Sequence, residues 1–189
     1  MQEAANIYKP KVSAETLSSI DDLLDEVLYK IGEADNPRTS VEDIKLLLNT
    51  SQLVVFAVCE CEREVLNGGF DQYFFNSYGR WGPEAVEGFE RLGLRELSQI
   101  VREAISVFPD VETIREPSLR ETFLGHSEQR TLENVFSVFS NKSRKIAKTF
   151  DRLDEAFAER QEEISERLHP FVLENLSSLA VISKQGLHS

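Results

Sequence analysis

Apolar residues return every three or four positions along almost the whole chain, a period that suits helices and excludes alternating strands. From Ser13 to Ala34 the step is kept by Leu17, Ile20, Leu24, Val27, Leu28 and Ile31, and Gly32 with Asn36-Pro37 supplies the stop. Ser40-Val41-Glu42-Asp43 resembles a capping box with Asp in place of Glu, and it opens a short helix that ends at the polar break Asn49-Thr50-Ser51. Gln52 to Leu66 turns Leu53, Phe56, Ala57, Cys61, Val65 and Leu66 inward and sets Glu60 and Glu64 one turn apart on another face. Pro83 starts a helix through Ala85, Val86, Phe89 and Leu92 to Gly93; Leu97, Ile100, Val101, Ala104, Ile105 and Phe108 mark the next, ending at Pro109. Asp110 to Glu128, with Pro117 and Gly125, reads as a long connection holding at most one short helix. Helical spacing resumes from Arg130 to Asn175, with Pro170 bending or ending the last piece. No internal repeat or low-complexity run is present. The expected fold is therefore all-α, a compact multi-helix domain of short stacked helices with no sheet. Its expected parts are an N-terminal helical extension over 1–48, a main domain over 49–175 and a tail over 176–189.

Length and charge narrow the function. A chain of 189 residues builds a core without disulfides or metals. Cys59 and Cys61, two apart on a helix, point to nearly opposite faces and do not pair with each other. The start carries no basic segment followed by an apolar one, and the longest apolar run, Leu53 to Cys59, is too short to span a bilayer, so a cytoplasmic location is expected. Thirty-three acidic residues against 21 basic ones give a formal charge of -12, which disfavours direct binding to nucleic acid or anionic lipid and favours basic surfaces.

Residues 67–79, NGGFDQYFFNSYG, interrupt the plain helical pattern. Asn67-Gly68-Gly69 is a strong stop, because Asn tolerates and Gly freely adopts the left-handed backbone. With a new helix starting near Phe70, Phe70, Tyr73 and Phe74 share a core face, while Gln72 and Asn76 lie four apart on a neighbouring face, within reach of Glu60 or Glu64. Two readings follow. One is a buried polar network that fixes a chain reversal; the other is a polar ligand pocket at the corner, built from Glu60, Glu64, Asn67, Gly68, Gly69, Gln72, Tyr73 and Asn76.

The stretch Glu64 to Gly79, EVLNGGFDQYFFNSYG, also resembles the signature of a bacterial DNA-mimic protein family. The likeness continues through Ala85 to Gly93 and, more weakly, in LDEAFAERQEEISERLHPFVLEN near the C-terminus, covering Asn49 to Asn175. The resemblance implies a helical fold, a homodimer and an acidic surface that occupies the DNA-binding face of a regulator.

Acidic patterning independently offers such a surface. Asp151, Glu155, Glu159, Glu162 and Glu166 follow steps of four, four, three and four, one side of a helix if that helix is continuous. Steps of that size separate carboxylates by about 5 to 6 Å along the axis, close to the spacing of phosphates along a strand. The plain alternative is the solvated side of an amphipathic helix. Lys142, Arg144, Lys145 and Lys148 form a basic patch just before the row, available to acids of the same or another subunit. Catalytic signals are thin. The histidines are His126, His169 and His188; Glu166-x-x-His169 is a single copy of a di-iron element whose helix meets Pro170; phosphate-binding, dinucleotide-binding, CxxC and nucleophile-elbow motifs are lacking. No enzyme activity, cofactor or metal is expected. The expected partner is a basic protein surface, such as a DNA-binding transcription regulator, and the alternative is a small-molecule binder or enzyme at the corner.

Overall fold

The computed structural model describes residues 11–13, 19–35, 39–125 and 136–183. Along the chain run β1 (Lys11–Ser13), α1 (Ile20–Ala34), α2 (Val41–Leu47), α3 (Thr50–Phe75), a 3-10 turn over Ser77–Trp81, α4 (Gly82–Arg91), α5 (Arg95–Ile105), α6 (Val111–Arg115), α7 (Pro117–Leu124), α8 (Phe136–Ala158), α9 (Gln161–Glu174), α10 (Leu176–Leu179) and β2 (Val181–Ser183). The all-α class holds. A small addition to the sheet-free expectation is the parallel pairing of β1 with β2, Lys11 opposite Val181 through Ser13 opposite Ser183. Three residues carry too few alternations for such strands to be read from sequence.

α3 is the axis of the molecule, because five successive residues, Val54 to Val58, are all buried. A helix covered on every side loses its amphipathic stripe, and two expectations fail there: Leu66, expected inside, is exposed, while Glu60, expected on another face, is 3 % exposed. Asn49 and Gln52 close a reciprocal capping box at its start. Ser40 caps α2 by accepting the Asp43 N–H at 3.1 Å and donates its hydroxyl to the Asp43 carboxylate at 2.7 Å. α4 lies tight against α3 at Gly88, where a Cβ would stand 2.7 Å from the Val58 side chain. α1 begins at Ile20 with Ser19 as its cap, later than the Ser13 start expected. Leu17 of the expected stripe lies outside the described residues, as do Leu132 and Val135, the first apolar positions of the helical spacing expected from Arg130 onward.

The region from Asp110 to Gly125 holds two short helices where at most one was expected. Asp110 accepts the Thr113 N–H at 2.8 Å to start α6. Pro117, taken as a breaker, occupies the first turn of α7, and Gly125 ends it in the left-handed region at φ 87°. Arg120 of α7 is fully buried and binds backbone carbonyls of Phe74, Ile114 (2.5 Å) and Asn76 (3.0 Å), joining the ends of α3 and α6 through one cation. The hydrophobic cluster is continuous: α1 contributes Leu23, Leu24, Val27, Leu28 and Ile31 to the same core that Leu179 and Ala180 enter from the C-terminal end. Beyond residue 175, Ser178 O accepts from Asn49 Nδ2 at 2.7 Å and Leu179 O from Gln52 Nε2 at 3.1 Å.

Candidate functional site

Two regions are candidates, the kink in α3 and the acidic edge of α8 and α9. At the kink the helix divides into arms 50–67 and 70–75, separated by Gly68 (φ -157°, ψ 21°) and Gly69 (φ 75°, ψ -179°). Only Gly69 requires glycine on conformational grounds, because an extended φ is open to any residue. A new helix begins at Phe70, as its aromatic pattern requires: Phe70, Tyr73 and Phe74 are fully buried, and Phe70 and Phe74 pack against Phe150 and Phe157 of α8 and Phe108 beyond the end of α5.

The amides of the second arm meet one glutamate. Gln72 Nε2 donates to Glu64 Oε2 at 3.1 Å and Asn76 Nδ2 to the same oxygen at 2.6 Å. Glu64 thus spans the kink, accepting from residues 8 and 12 positions further on. Glu60, the other proposed acceptor, is instead paired with Arg63. Burial pushes its carboxyl up to about 7, against the favourable field of Arg63. The Tyr73 hydroxyl is buried without an N or O hydrogen-bond partner among the described residues, and Cys61 faces it. Asn67 and Gly68 are exposed. Sequence spacing therefore brings Glu64, Gln72 and Asn76 together correctly, while Glu60 and Tyr73 belong to the core behind them.

One residue at the kink was not anticipated. Asp154 of α8 accepts the Phe70 N–H at 2.8 Å, acting as a helix cap supplied from a different element. A Cβ on Gly69 would lie 2.9 Å from the Asp154 carboxyl carbon. Burial raises the Asp154 pKa, Asp151 and Asp71 raise it further, and the Phe70 N–H opposes them. A sequence signal exists: Asp154 stands four after Phe150 and three before Phe157, a core-facing step occupied by an acid.

The acidic row is not one continuous helix. α8 ends at Ala158 and α9 begins at Gln161, so Asp151 and Glu155 stand on α8, Glu159 in the turn, and Glu162 and Glu166 on α9. The straight row expected from a continuous helix is thereby corrected. Arg160 leaves the helical path at the break, and its N–H bonds Phe157 O at 3.0 Å. The outward sense survives, because Phe150, Leu153 and Phe157 before the break and Ile164, Leu168 and Val172 after it are all buried. All five carboxylates are exposed, and none is ion-paired among the described residues. Two arginines beside them turn elsewhere: Arg152 pairs with Glu103 of α5, and Arg160 with Glu96 of α5 and Glu163. α9 continues through Pro170 to Glu174.

Other chemistry-bearing groups have structural partners. His169 lies 3.2 Å from Asp21 of α1, and among the described residues no three His, Cys, Asp or Glu side chains converge as metal ligands. Cys59 and Cys61 are free thiols, both pushed up by burial. Asp35 receives Arg80 and, at 3.1 Å, the Trp81 indole N–H. A shallow cleft between α2, α3 and α4 lies away from the kink; its buried Glu84 is held by Lys45 at 3.1 Å and bidentately by Arg115 at 2.6 and 2.7 Å. No helix among the described residues is long and apolar enough to cross a membrane.

No curated protein and no solved structure matches the chain. The family model of the DMP19-like protein matches residues 47–175, from the end of α2 through the kink and the acidic edge to the end of α9. With both candidate regions inside that span, the chain belongs to the DMP19-like protein family.

Proposed function

We propose that the protein is a non-catalytic, acidic interaction module that mimics DNA and occupies the DNA-binding face of a basic protein such as a transcription regulator. The observation that carries this reading is the set of five outward carboxylates on α8, the turn and α9, left unpaired among the described residues while Arg152 and Arg160 turn to α5. Carboxylates that no internal cation neutralises remain available to a partner's lysines and arginines, and a net charge of -12 adds long-range attraction that salt weakens. Membership of a family named for DNA mimicry agrees with that chemistry. A cytoplasmic setting, where DNA-binding regulators work, belongs to the same proposal.

The kink favours the structural account of its polar residues over a ligand pocket: Glu64 is met by two amides and Asp154 by a backbone N–H. The test is capture from host lysate by immobilised protein at low salt, followed by elution with duplex DNA. Proteins released by DNA and by high salt support the proposal. Glu155→Gln, Glu159→Gln, Glu162→Gln and Glu166→Gln combined remove four negative charges at nearly constant shape, and undiminished capture by that variant would reject the row as the docking surface.

A further inference from the structure

The face that carries the acidic row begins with the opposite sign. On α8, Arg144, Lys148, Asp151 and Glu155 follow steps of four, three and four, which place all four on one side of the helix, away from Phe150, Leu153 and Phe157 in the core. All four are exposed, and none is ion-paired to another described residue. Their order gains little within the helix. A cation preceding an acid is the weaker arrangement for a pair on one helix, and Glu155, in the last turn of α8, opposes the helix dipole. Lys148 stands about 4.5 Å along the axis from Asp151, and Arg144 about 17 Å from Glu155, so a single partner face meets both signs.

A DNA duplex is negative along its whole length, and an uninterrupted acidic edge would attract any basic face of sufficient size. Arg144 and Lys148 remove that equivalence. A row of partner cations that continues past Asp151 meets like charge, and like charges set opposite each other across an interface suppress wrong partners and fix register. We propose that Arg144 and Lys148 determine which partner the acidic row accepts: a DNA-binding protein whose cations end opposite Asp151 and give way to acidic side chains opposite Lys148 and Arg144. Nucleic acid is a poor occupant of this basic head, since Asp151 and Glu155 follow on the same face and the chain carries a net charge of -12. The inference rests on the proposed docking of a basic protein on the acidic row, and it adds where that row stops and which chemistry the partner must carry beyond it.

The experiment is calorimetric titration of the full chain with two probes, dodecalysine and a block peptide of hexalysine joined to hexaglutamate, whose blocks each extend over about 20 Å. Salt is held at about 0.1 M, where a Debye length of about 10 Å keeps the comparison local. Arg144→Glu combined with Lys148→Glu is set against Arg91→Glu combined with Arg95→Glu, a control of equal net charge at two exposed arginines flanking the α4–α5 turn. Relative to that control, the head variant is expected to bind dodecalysine about fivefold tighter and the block peptide about fivefold more weakly, as inverted exposed pairs at two positions would give. Net charge alone cannot move the two probes in opposite directions. A head variant indistinguishable from the control, or one that shifts both probes the same way, would overturn the proposal. The row itself is tested separately by the variant with glutamine at 155, 159, 162 and 166: dodecalysine binding that this variant leaves undiminished rejects the docking reading, whatever the head does. If circular dichroism shows the head variant unfolded, Arg144→Gln with Lys148→Gln against Arg91→Gln with Arg95→Gln makes the same comparison with half the change in charge.

Discussion

Replacing Gly69 by alanine tests the geometry of the kink most directly. At φ 75° and ψ -179° the residue lies in a region that side chains with a Cβ scarcely enter, costing about 1–3 kcal/mol. The added methyl also falls on Asp154, 2.9 Å from its carboxyl carbon, so the acid must leave the Phe70 N–H. A hydrogen bond to a charged group contributes about 1.5–3 kcal/mol. Gly69→Ala is therefore expected to destabilise the protein by about 3–5 kcal/mol in urea unfolding, with the midpoint lowered and the slope unchanged. Asp154→Ala alone should cost about 2 kcal/mol, from the lost cap. The two share one interaction, so the double variant should fall short of the sum by about 1–2 kcal/mol. A Gly69→Ala loss under about 1 kcal/mol, or strict additivity with Asp154→Ala, would refute the claim that strain and the cap act together at this turn.

Burial sets further expectations. The Glu60 carboxyl is raised to about 7, above its unfolded value, so its neutral form is favoured by folding; that stability is complete below the unfolded pKa and is lost as pH rises through about 7. Unfolding free energy should consequently decline across that window, and Glu60→Gln should flatten the decline in denaturant titrations at successive pH values. Arg120→Met should cost about 3 kcal/mol or more, because three carbonyls at helix ends lose their donor in a dry site; a thermal midpoint close to wild type would contradict that assignment.

Sequence spacing made much of the scaffold legible because helical periodicity is a local property. The stop at Asn67-Gly68-Gly69, the restart at Phe70 and the convergence of Gln72 and Asn76 on one glutamate all follow from the three- and four-residue geometry of a single helix. The same reasoning misplaced Glu60 and Leu66, since a central helix surrounded by others has no polar side to orient it. Pro117 and Gly125 were misread as breakers because each also serves as a helix terminus, and only the neighbouring caps distinguish the two uses.

What the sequence determined by itself is the helical class, the position of the kink and an outward acidic edge, because those depend on residue types at fixed local steps. Tertiary structure decided the rest: that Asp154 turns inward to cap a helix that restarts 84 residues earlier in the chain, that the helix carrying the edge breaks at Glu159–Arg160, and that Arg152 and Arg160 turn to α5 and leave the edge's carboxylates unpaired among the described residues. Charge availability is a pairing question between distant segments, and only packing brings those segments together.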